Sequence, residues 1–286
     1  MTAAARAFHR EEPQPWVIDD YLALDLAGPE GLALLDRLRT EVPRPYLLAF
    51  SRWVCVRARF PEDLVEQSVA GGVAQYVILG AGLDSFAYRR RDLMDRLRVF
   101  EVDHPATQAW KRQRLAELGM ELPAGLVFAP IDFERQTLRE GLEQAGFDFA
   151  ELAVFSWMGV TMYLTLDAIN ATLATLAQCR AGTRVVLTYN QPPAALTSSD
   201  AKITGTMAGI AAQLGEPFIS RFLRAEIAEL LHYHGFGEIT DFGPDEARVA
   251  YFGGHPDAEI AGAQRVIAAT VAPARAPGGD SRTAPA

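Results

Sequence analysis

Two glycines and a carboxylate are spaced along the chain in a way that is typical of nucleoside binding. An apolar run over residues 76–79 stops at Gly80, Ala81 and Gly82, and a second apolar run ends at Asp103, about twenty residues further on. Glycine lets the backbone approach a ligand where a side chain would block it. A carboxylate at the end of the second strand can accept hydrogen bonds from both hydroxyls of a ribose. The spacing therefore predicts a site for a nucleoside cofactor.

The residues that follow the glycines favour S-adenosylmethionine over NAD. A dinucleotide-binding fingerprint has a third glycine where Ser85 stands here, and Asp84 precedes that position. A carboxylate would occupy the place where a helix N-terminus binds a pyrophosphate. S-adenosylmethionine has no phosphate, and its sulfonium and ammonium groups are attracted to an acidic loop. We therefore expect Asp84 to lie beside this cofactor.

Four blocks of sequence, in order, resemble the leucine carboxyl methyltransferase family, and specifically its bacterial branch of S-adenosylmethionine-dependent O-methyltransferases. The blocks are GAGLDSFAYR, FEVDHPATQAWKRQRL, PIDF and SWMGVTMYLT, which together cover most of the chain from Arg52 to Tyr189. The resemblance implies an α/β fold with a Rossmann-like, seven-stranded methyltransferase sheet and helices on both of its faces. It also implies S-adenosyl-L-methionine as the cofactor and methyl transfer to an oxygen as the activity.

The same resemblance assigns roles to residues outside the glycine loop. Asp132 stands where the family has the acidic residue that recognises adenine, and the Phe133 ring beside it can stack on the base. In the family, an arginine of the N-terminal block holds the aminocarboxylate of the cofactor, and Arg57 aligns with it better than Arg59 does. Relatives often have a glutamate where Met158 stands, so we expect Met158 to pack against adenine or the sulfonium methyl instead.

Several of these residues have an alternative, purely structural interpretation. Asp103 could cap the helix that Pro105 opens, and Glu101 is a competing carboxylate on the same face of the strand. Arg57 could lie on a solvated helix face beside an acidic partner. The family pattern favours the cofactor roles of Asp103 and Arg57.

The expected reaction is an SN2 displacement in which an acceptor oxygen attacks the methyl carbon of the sulfonium. A carboxylate acceptor is already ionised at neutral pH, whereas a phenol needs a base within hydrogen-bond reach. His104, directly after Asp103, is the candidate base, and Tyr163 and Tyr189 are the other catalytic candidates. We expect a small-molecule acceptor, with a carboxylate favoured over a phenol or hydroxyl. No metal is expected.

Alternating strand and helix patterns should place these residues at one edge of a sheet. Strands are expected over residues 76–79, 99–102, 126–131, 152–156, 184–189, 238–242 and 266–271. Helical patterns between them predict a mostly parallel sheet that is covered on both faces. Ligands bind at the carboxyl ends of the strands in such sheets.

The chain divides into a helical N-terminal cap over residues 1–70, with helical patterns over 32–40 and 45–59, and a cofactor-binding methyltransferase domain over 71–272. Residues 192–216 break the strand–helix alternation after the fifth strand, so we expect them to form a helical lid. Residues 273–286, rich in Pro, Gly and Ala, are expected to be a disordered tail.

Composition excludes several classes of partner. The chain has 286 residues and a net charge of −9, which argues against nucleic acid because a phosphate backbone requires a basic surface. No apolar run reaches the ~18 residues that a membrane span requires. The two cysteines, Cys55 and Cys179, predict free thiols in a reducing compartment. We therefore expect a cytoplasmic protein, and the oligomeric state stays open.

Two alternatives to an active methyltransferase follow from the same residues. One is an NAD(P)-dependent oxidoreductase with a doubly wound sheet, against which Ser85 argues. The other is a non-catalytic relative that binds S-adenosylmethionine, which the methionine at position 158 favours. Turnover of acids and phenols would separate an enzyme from a binding protein.

Overall fold

A sheet of seven strands organises the part of the chain that a computed structural model describes, residues 1–133, 135–213, 215–255 and 258–273. The strands are β1 Gln75–Leu79, β2 Arg98–Asp103, β3 Leu126–Pro130, β4 Ala153–Trp157, β5 Arg184–Asn190, β6 Phe236–Phe242 and β7 Gln264–Val271. Their order in the sheet is β3-β2-β1-β4-β5-β7-β6. Only the pairs that involve β7 are antiparallel.

The helices lie between and before the strands. They are α1 Thr2–His9, α2 Ala23–Glu41, α3 Arg44–Ala70, α4 Phe86–Arg89, α5 Arg91–Met94, α6 Pro105–Glu117, α7 Leu138–Gln144, α8 Leu166–Leu176, α9 Ser198–Gln213, α10 Arg224–Tyr233 and α11 Pro244–Tyr251. Local chemistry sets several of their ends. The Thr165 hydroxyl accepts from the Ala168 N–H at the start of α8, and Thr137 with Glu140 forms a capping box at α7.

The strand order places a crevice between β1 and β4. From β1 the chain proceeds to β2 and β3 on one side, then crosses to β4 and β5 on the other side. The loops that follow β1 and β4 therefore diverge, and ligands of open α/β sheets bind in the gap that this reversal creates.

Successive side chains of a strand point to opposite faces of the sheet, and in β1 the side chains on both faces are buried. Val77 and Leu79 pack in a core with α7, α8 and α10. Tyr76 and Ile78 pack in a second core with α3 and α6. The rigid, fully buried strand fixes the position of the glycine loop at its end.

A third core joins the N-terminal helices to the helix after β5. Phe8 of α1, Leu38 of α2 and Trp53 of α3 pack with Ile203 and Met207 of α9. The segment predicted to be a lid thus rests on the N-terminal helices, and its movement stays a prediction.

The predicted fold class is confirmed, and the differences concern element ends and short helices. Each predicted strand is present within about two residues of its expected bounds. The helical pattern at 45–59 extends as α3 through Pro61 to Ala70, because Val65 and Val69 are buried against the sheet. Helices α1 and α11 were not predicted. Of the expected disordered tail, residues 274–286 lie outside the described residues.

No helix among the described residues is both long and apolar enough to cross a bilayer.

Candidate functional site

A cavity opens at the crevice between β1 and β4. Its wall contains most of the residues predicted to bind the cofactor, namely Arg57, Gly80, Ala81, Gly82, Asp84 and Met158. The helix α3, the loop after β1 and the loop after β4 therefore converge on one site, as the strand order requires.

The glycine loop makes a tight turn whose two glycines are needed for different reasons. Gly80 has a φ of 70°, and a Cβ added there would lie 2.4 Å from a methyl carbon of Val160. Gly82 has a φ of 49°, but a Cβ there would meet nothing within 4 Å. The N–H groups of Gly80 and Ala81 both donate to the Val102 carbonyl, at 2.8 and 3.0 Å. Close packing explains Gly80, whereas left-handed backbone explains Gly82 and leaves open space beside the loop.

Asp103 connects the end of β2 to this loop. Its Oδ2 accepts from the Gly82 N–H at 2.6 Å, and its Oδ1 accepts from the His104 N–H at 2.7 Å. Each carboxylate oxygen has two lone pairs, so each retains one for a further donor. Asp103 does not itself border the cavity, but it holds the glycine loop that does, and its contact with a ribose stays a prediction.

The competing carboxylate, Glu101, has a different role. It is fully buried, and its Oε2 lies 2.5 Å from Lys111 Nζ, which also donates to the Asp84 carbonyl at 2.6 Å. Burial raises the pKa of Glu101 to about 7. Glu101 does not border the cavity. Its ion pair with Lys111 positions the ammonium group that donates to the Asp84 carbonyl of the loop.

Arg57 is a buried guanidinium that has no carboxylate partner among the described residues. Its Nη1 donates to the Gln264 Oε1 at 2.5 Å, and burial lowers its pKa to about 10. Arg59, two residues further along α3, instead pairs with Asp63 at 2.6 Å. The solvated, paired arginine of the structural alternative is thus Arg59. A buried cation without a counterion fits the carboxylate of an aminocarboxylate ligand.

Two carboxylates border the cavity, and their partners differ. Glu62 forms an ion pair with Arg89, although burial raises the pKa of Glu62 above its usual range. Asp84 accepts from the Phe86 N–H at 2.7 Å and pairs with no described basic side chain. The negative charge of Asp84 is therefore available to a cationic group of a ligand, and its contact with the cofactor stays a prediction.

The sequence analysis missed the contribution of the N-terminus to this site. Arg6 of α1 borders the cavity, pairs with Asp20 at 2.6 Å and donates to the Leu83 carbonyl at 2.9 Å. Asp20 also accepts from the Ser85 hydroxyl at 2.7 Å. Burial opposes ionisation of Asp20, but Arg6 and Arg89 hold its pKa below the usual range. No local pattern links residues so far apart in the chain, so the sequence carried no signal for this network.

Asp132 and Phe133 follow β3 and do not border the cavity. Asp132 lies 3.3 Å from Arg135, and the Phe133 side chain is 62% exposed. Both residues share the sheet edge with Asp103, whose carbonyl accepts from the Ile131 N–H at 2.9 Å. Their contact with adenine stays a prediction.

A second cavity adjoins the first and shares Thr2 and Arg57 with it. Tyr163 borders this second cavity, but the other two catalytic candidates border neither. The buried Tyr189 donates its hydroxyl to Asp241 at 2.7 Å, on the β6 side of the sheet. His104 is exposed, and its Nδ1 accepts from the Ala106 N–H at the start of α6. The geometry therefore gives support only to Tyr163 among the three.

Comparison with known proteins agrees with this arrangement. The model of the leucine carboxyl methyltransferase family matches residues 1–177. A Bacillus subtilis protein, YktD, is 29% identical over 90% of this chain and 91% of its own length, and its name describes an S-adenosyl-L-methionine-dependent methyltransferase. A Mycobacterium leprae protein with the same description is 32% identical over 65% of this chain. The match spans 61% of that relative's length.

Solved structures share the fold at low sequence identity. A protein of the DUF574 family from Streptomyces avermitilis superposes with a TM-score of 0.58 and 17% identity, and the match covers 96% of this chain and 97% of the other. A Thermobifida fusca protein described as a methyltransferase gives a TM-score of 0.58 and 15% identity, over 87% of this chain and 92% of the other. Since the family model matches more than half of its length, the chain belongs to the leucine carboxyl methyltransferase family.

Proposed function

We propose that this chain transfers the methyl group of S-adenosylmethionine to an oxygen of a small-molecule acceptor, and that this oxygen belongs to a carboxylate. Membership of the family makes the chain an S-adenosylmethionine-dependent methyltransferase and argues against the oxidoreductase alternative. The observation that carries the proposal is the pair of adjoining cavities with a buried arginine in their common wall. Two ligands held there would meet at that wall.

The residues of the first cavity, together with Asp103 beside its glycine loop, match the groups of S-adenosylmethionine. Asp103 would accept from the ribose hydroxyls, and Asp84 would lie near the ammonium. Arg57 would bind the carboxylate of the methionine part, for which it has no competing carboxylate among the described residues. Met158 would pack against the sulfonium side, where a polar contact is not required. The open space beside Gly82 leaves room for the ligand to lie against the loop.

The chemistry requires alignment more than acid–base catalysis. When bound, S-adenosylmethionine supplies an electrophilic methyl group, and its transfer forms a carbon–oxygen bond, breaks the carbon–sulfur bond and releases S-adenosylhomocysteine. The contribution of the chain is to bind both reactants, exclude water and hold the acceptor oxygen in line. Such positioning contributes about 7–11 kcal/mol to lowering a barrier.

The lining of the second cavity favours an acceptor that arrives already ionised. No histidine, lysine or carboxylate side chain of the described residues borders it, but Met1 does, and burial lowers the pKa of the Met1 amino group. Tyr163 is no base at neutral pH, since burial raises the pKa of its hydroxyl and the neighbouring Glu216 raises it further. A carboxylate needs no base, whereas a phenol has a pKa of about 10. Arg57 and the amides of Asn190 and Gln264 would orient the carboxylate.

Transfer of a labelled methyl group tests this proposal directly. The purified chain is incubated with methyl-labelled S-adenosylmethionine and a panel of carboxylic acids and matched phenols. We expect base-labile methyl esters of acids, with a kcat/KM that changes little between pH 6 and pH 9 (about threefold at most) because the acceptor stays ionised. Exclusive methylation of phenols, with a rate that rises with pH, would contradict the carboxylate assignment. Cofactor binding without transfer to any acceptor would support the non-catalytic alternative.

A further inference from the structure

The second cavity has a polar end and an apolar body. Its polar end is a connected set of hydrogen bonds: Gln264 Oε1 accepts from Arg57 Nη1 at 2.5 Å and from Trp53 Nε1 at 3.3 Å, and Gln264 Nε2 donates to Asn190 Oδ1 at 3.1 Å. The Asn190 Nδ2 forms no hydrogen bond within the described ranges, so it is available to an acceptor oxygen. Because Arg57 belongs to both cavities, the polar end is the end nearest the cofactor site.

The remaining wall is mostly hydrocarbon and aromatic, and Met1, Thr2 and Tyr163 also border it. Its side chains come from α3, the loop after β4, α9 and the segment after α9, and they are Phe50, Trp53, Met162, Ile203, Met207 and Phe218. The Phe218 ring also contacts Tyr163, with centroids 5.7 Å apart. Thr204 adds a hydroxyl on the α9 side. A ligand body in contact with this wall gains free energy in proportion to its apolar surface.

This wall is unsuited to a peptide. A peptide that placed its C-terminal carboxylate at Arg57 would bring the amide groups of its preceding residues against a wall in which only the hydroxyls of Thr2, Tyr163 and Thr204 could pair with them. Each buried, unpaired amide group would weaken binding roughly 5- to 150-fold. A free acid with a hydrocarbon body leaves no such group unpaired.

We propose that the second cavity is the acceptor site and that it takes a free hydrophobic carboxylic acid, with its carboxylate at the Arg57, Gln264 and Asn190 end and its apolar body against α3 and α9. The inference rests on the proposed function, because it identifies the acceptor class of the same reaction. Phe218, half-buried in the segment after α9, is the wall residue that we expect to contact the far end of longer acids.

The test is calorimetric binding of acids to the chain saturated with S-adenosylhomocysteine, followed by turnover with S-adenosylmethionine. The ligands are a series of linear acids of increasing length, the aromatic counterpart of the best one, and a short peptide that ends in leucine. Affinity should rise about fourfold per added methylene until the cavity is filled. The Phe218→Ala variant should bind the longer acids at least about tenfold more weakly, with S-adenosylhomocysteine affinity unchanged.

The adjacent Ile219→Ala variant is the matched control, because Ile219 is 55% exposed and does not border this cavity. It should bind the acids as the parent does. Affinity that is independent of acid length, equal losses in both variants, or tighter binding of the peptide than of any free acid would overturn the inference. Length-dependent binding without methyl transfer would leave the ligand class in place and refute the proposed function instead.

Discussion

At the scale of single residues, Arg57 borders both cavities, and we expect its planar guanidinium group to bind the cofactor's carboxylate. The Arg57→Lys substitution keeps the positive charge but loses the planar set of donors. We expect it to weaken S-adenosylmethionine binding roughly 10- to 100-fold, the magnitude of one or two charge-assisted hydrogen bonds. Calorimetry measures the change. Arg59→Lys, on the same helix but paired with Asp63, should have no effect. Equal effects of the two substitutions would show that Arg57 does not contact the cofactor.

The same two arginines show how much of the site could be predicted from the sequence. The glycines and Asp103 could be located from their spacing, because a strand end and a tight turn have fixed local geometry. Arg57 and Arg59 could be ranked only by family resemblance, since the faces that they occupy depend on what packs against α3. Arg6 and Asp20 could not be found at all, because their contacts with the loop join segments that are distant in the chain.

At the scale of elements, the turn after β1 depends on the missing side chain of Gly80. Gly80→Ala would force a methyl group against Val160 in a backbone conformation that alanine rarely adopts. We expect a loss of about 1–3 kcal/mol in the free energy of unfolding and weaker cofactor binding. Gly205→Ala is the control, because a Cβ in that exposed position of α9 meets nothing within 4 Å. It should stabilise the chain by about 0.5–1 kcal/mol. Denaturant unfolding that ranks the variants in the opposite order would contradict this account.

The contact of α6 with β2 gives a pH-dependent prediction. Burial raises the pKa of Glu101 to about 7, so between the unfolded-state pKa near 4.5 and pH 7 the folded chain binds the extra proton. Glu101 therefore lowers stability as pH rises through that window. In Lys111→Met the carboxylate loses its partner and its pKa rises further, so the fall in unfolding free energy should continue above pH 7. At pH 8 the variant should be less stable than the parent by about 3–5 kcal/mol. A variant whose stability parallels that of the parent from pH 5 to pH 8 would contradict the buried pair.

Most of the strands and longer helices could be predicted from the sequence because hydrophobic periodicity indicates which faces are buried. The residues at which they end were harder to predict. The helical pattern was expected to end at residue 59, but α3 continues past Pro61 because burial of Val65 and Val69 against the sheet outweighs the lost hydrogen bond. Helix α1 was missed because its short, alanine-rich pattern becomes informative only once its partners α2 and α3 are known.

At the scale of the whole molecule, the N-terminal helices complete a site that the sheet alone would leave open. Asp20 accepts hydrogen bonds from both Arg6 and Ser85. Asp20→Ala removes this acceptor and should lower the free energy of unfolding by about 3–5 kcal/mol at pH 7. Cofactor affinity should fall as well, because Arg6 anchors the Leu83 carbonyl. The neighbouring Asp19→Ala is the control, since Asp19 pairs with Arg10 at the surface.

The way in which stability changes with pH tests the ion pairs of Asp20 independently. The pKa of Asp20 is held below its usual range in the folded chain, so its stabilisation is fully present above the unfolded-state value near 4 and is lost as pH falls further. The difference in stability between the parent and Asp20→Ala should therefore shrink as pH falls below about 4. Variants that differ by the same amount at pH 3 and pH 7 would show that the ion pairs of Asp20 do not stabilise the fold.

The most direct test of the central claim, that the crevice between β1 and β4 binds S-adenosylmethionine, is calorimetric titration of the chain with S-adenosylmethionine and S-adenosylhomocysteine. Asp103→Ala is titrated in parallel, with Asp245→Ala as a matched control at an exposed site, and the fold of each variant is checked by unfolding. We predict that the parent and the control bind both ligands, and that Asp103→Ala binds at least about 100-fold more weakly. An absence of heat with the parent, or equal affinity in Asp103→Ala, would contradict the account.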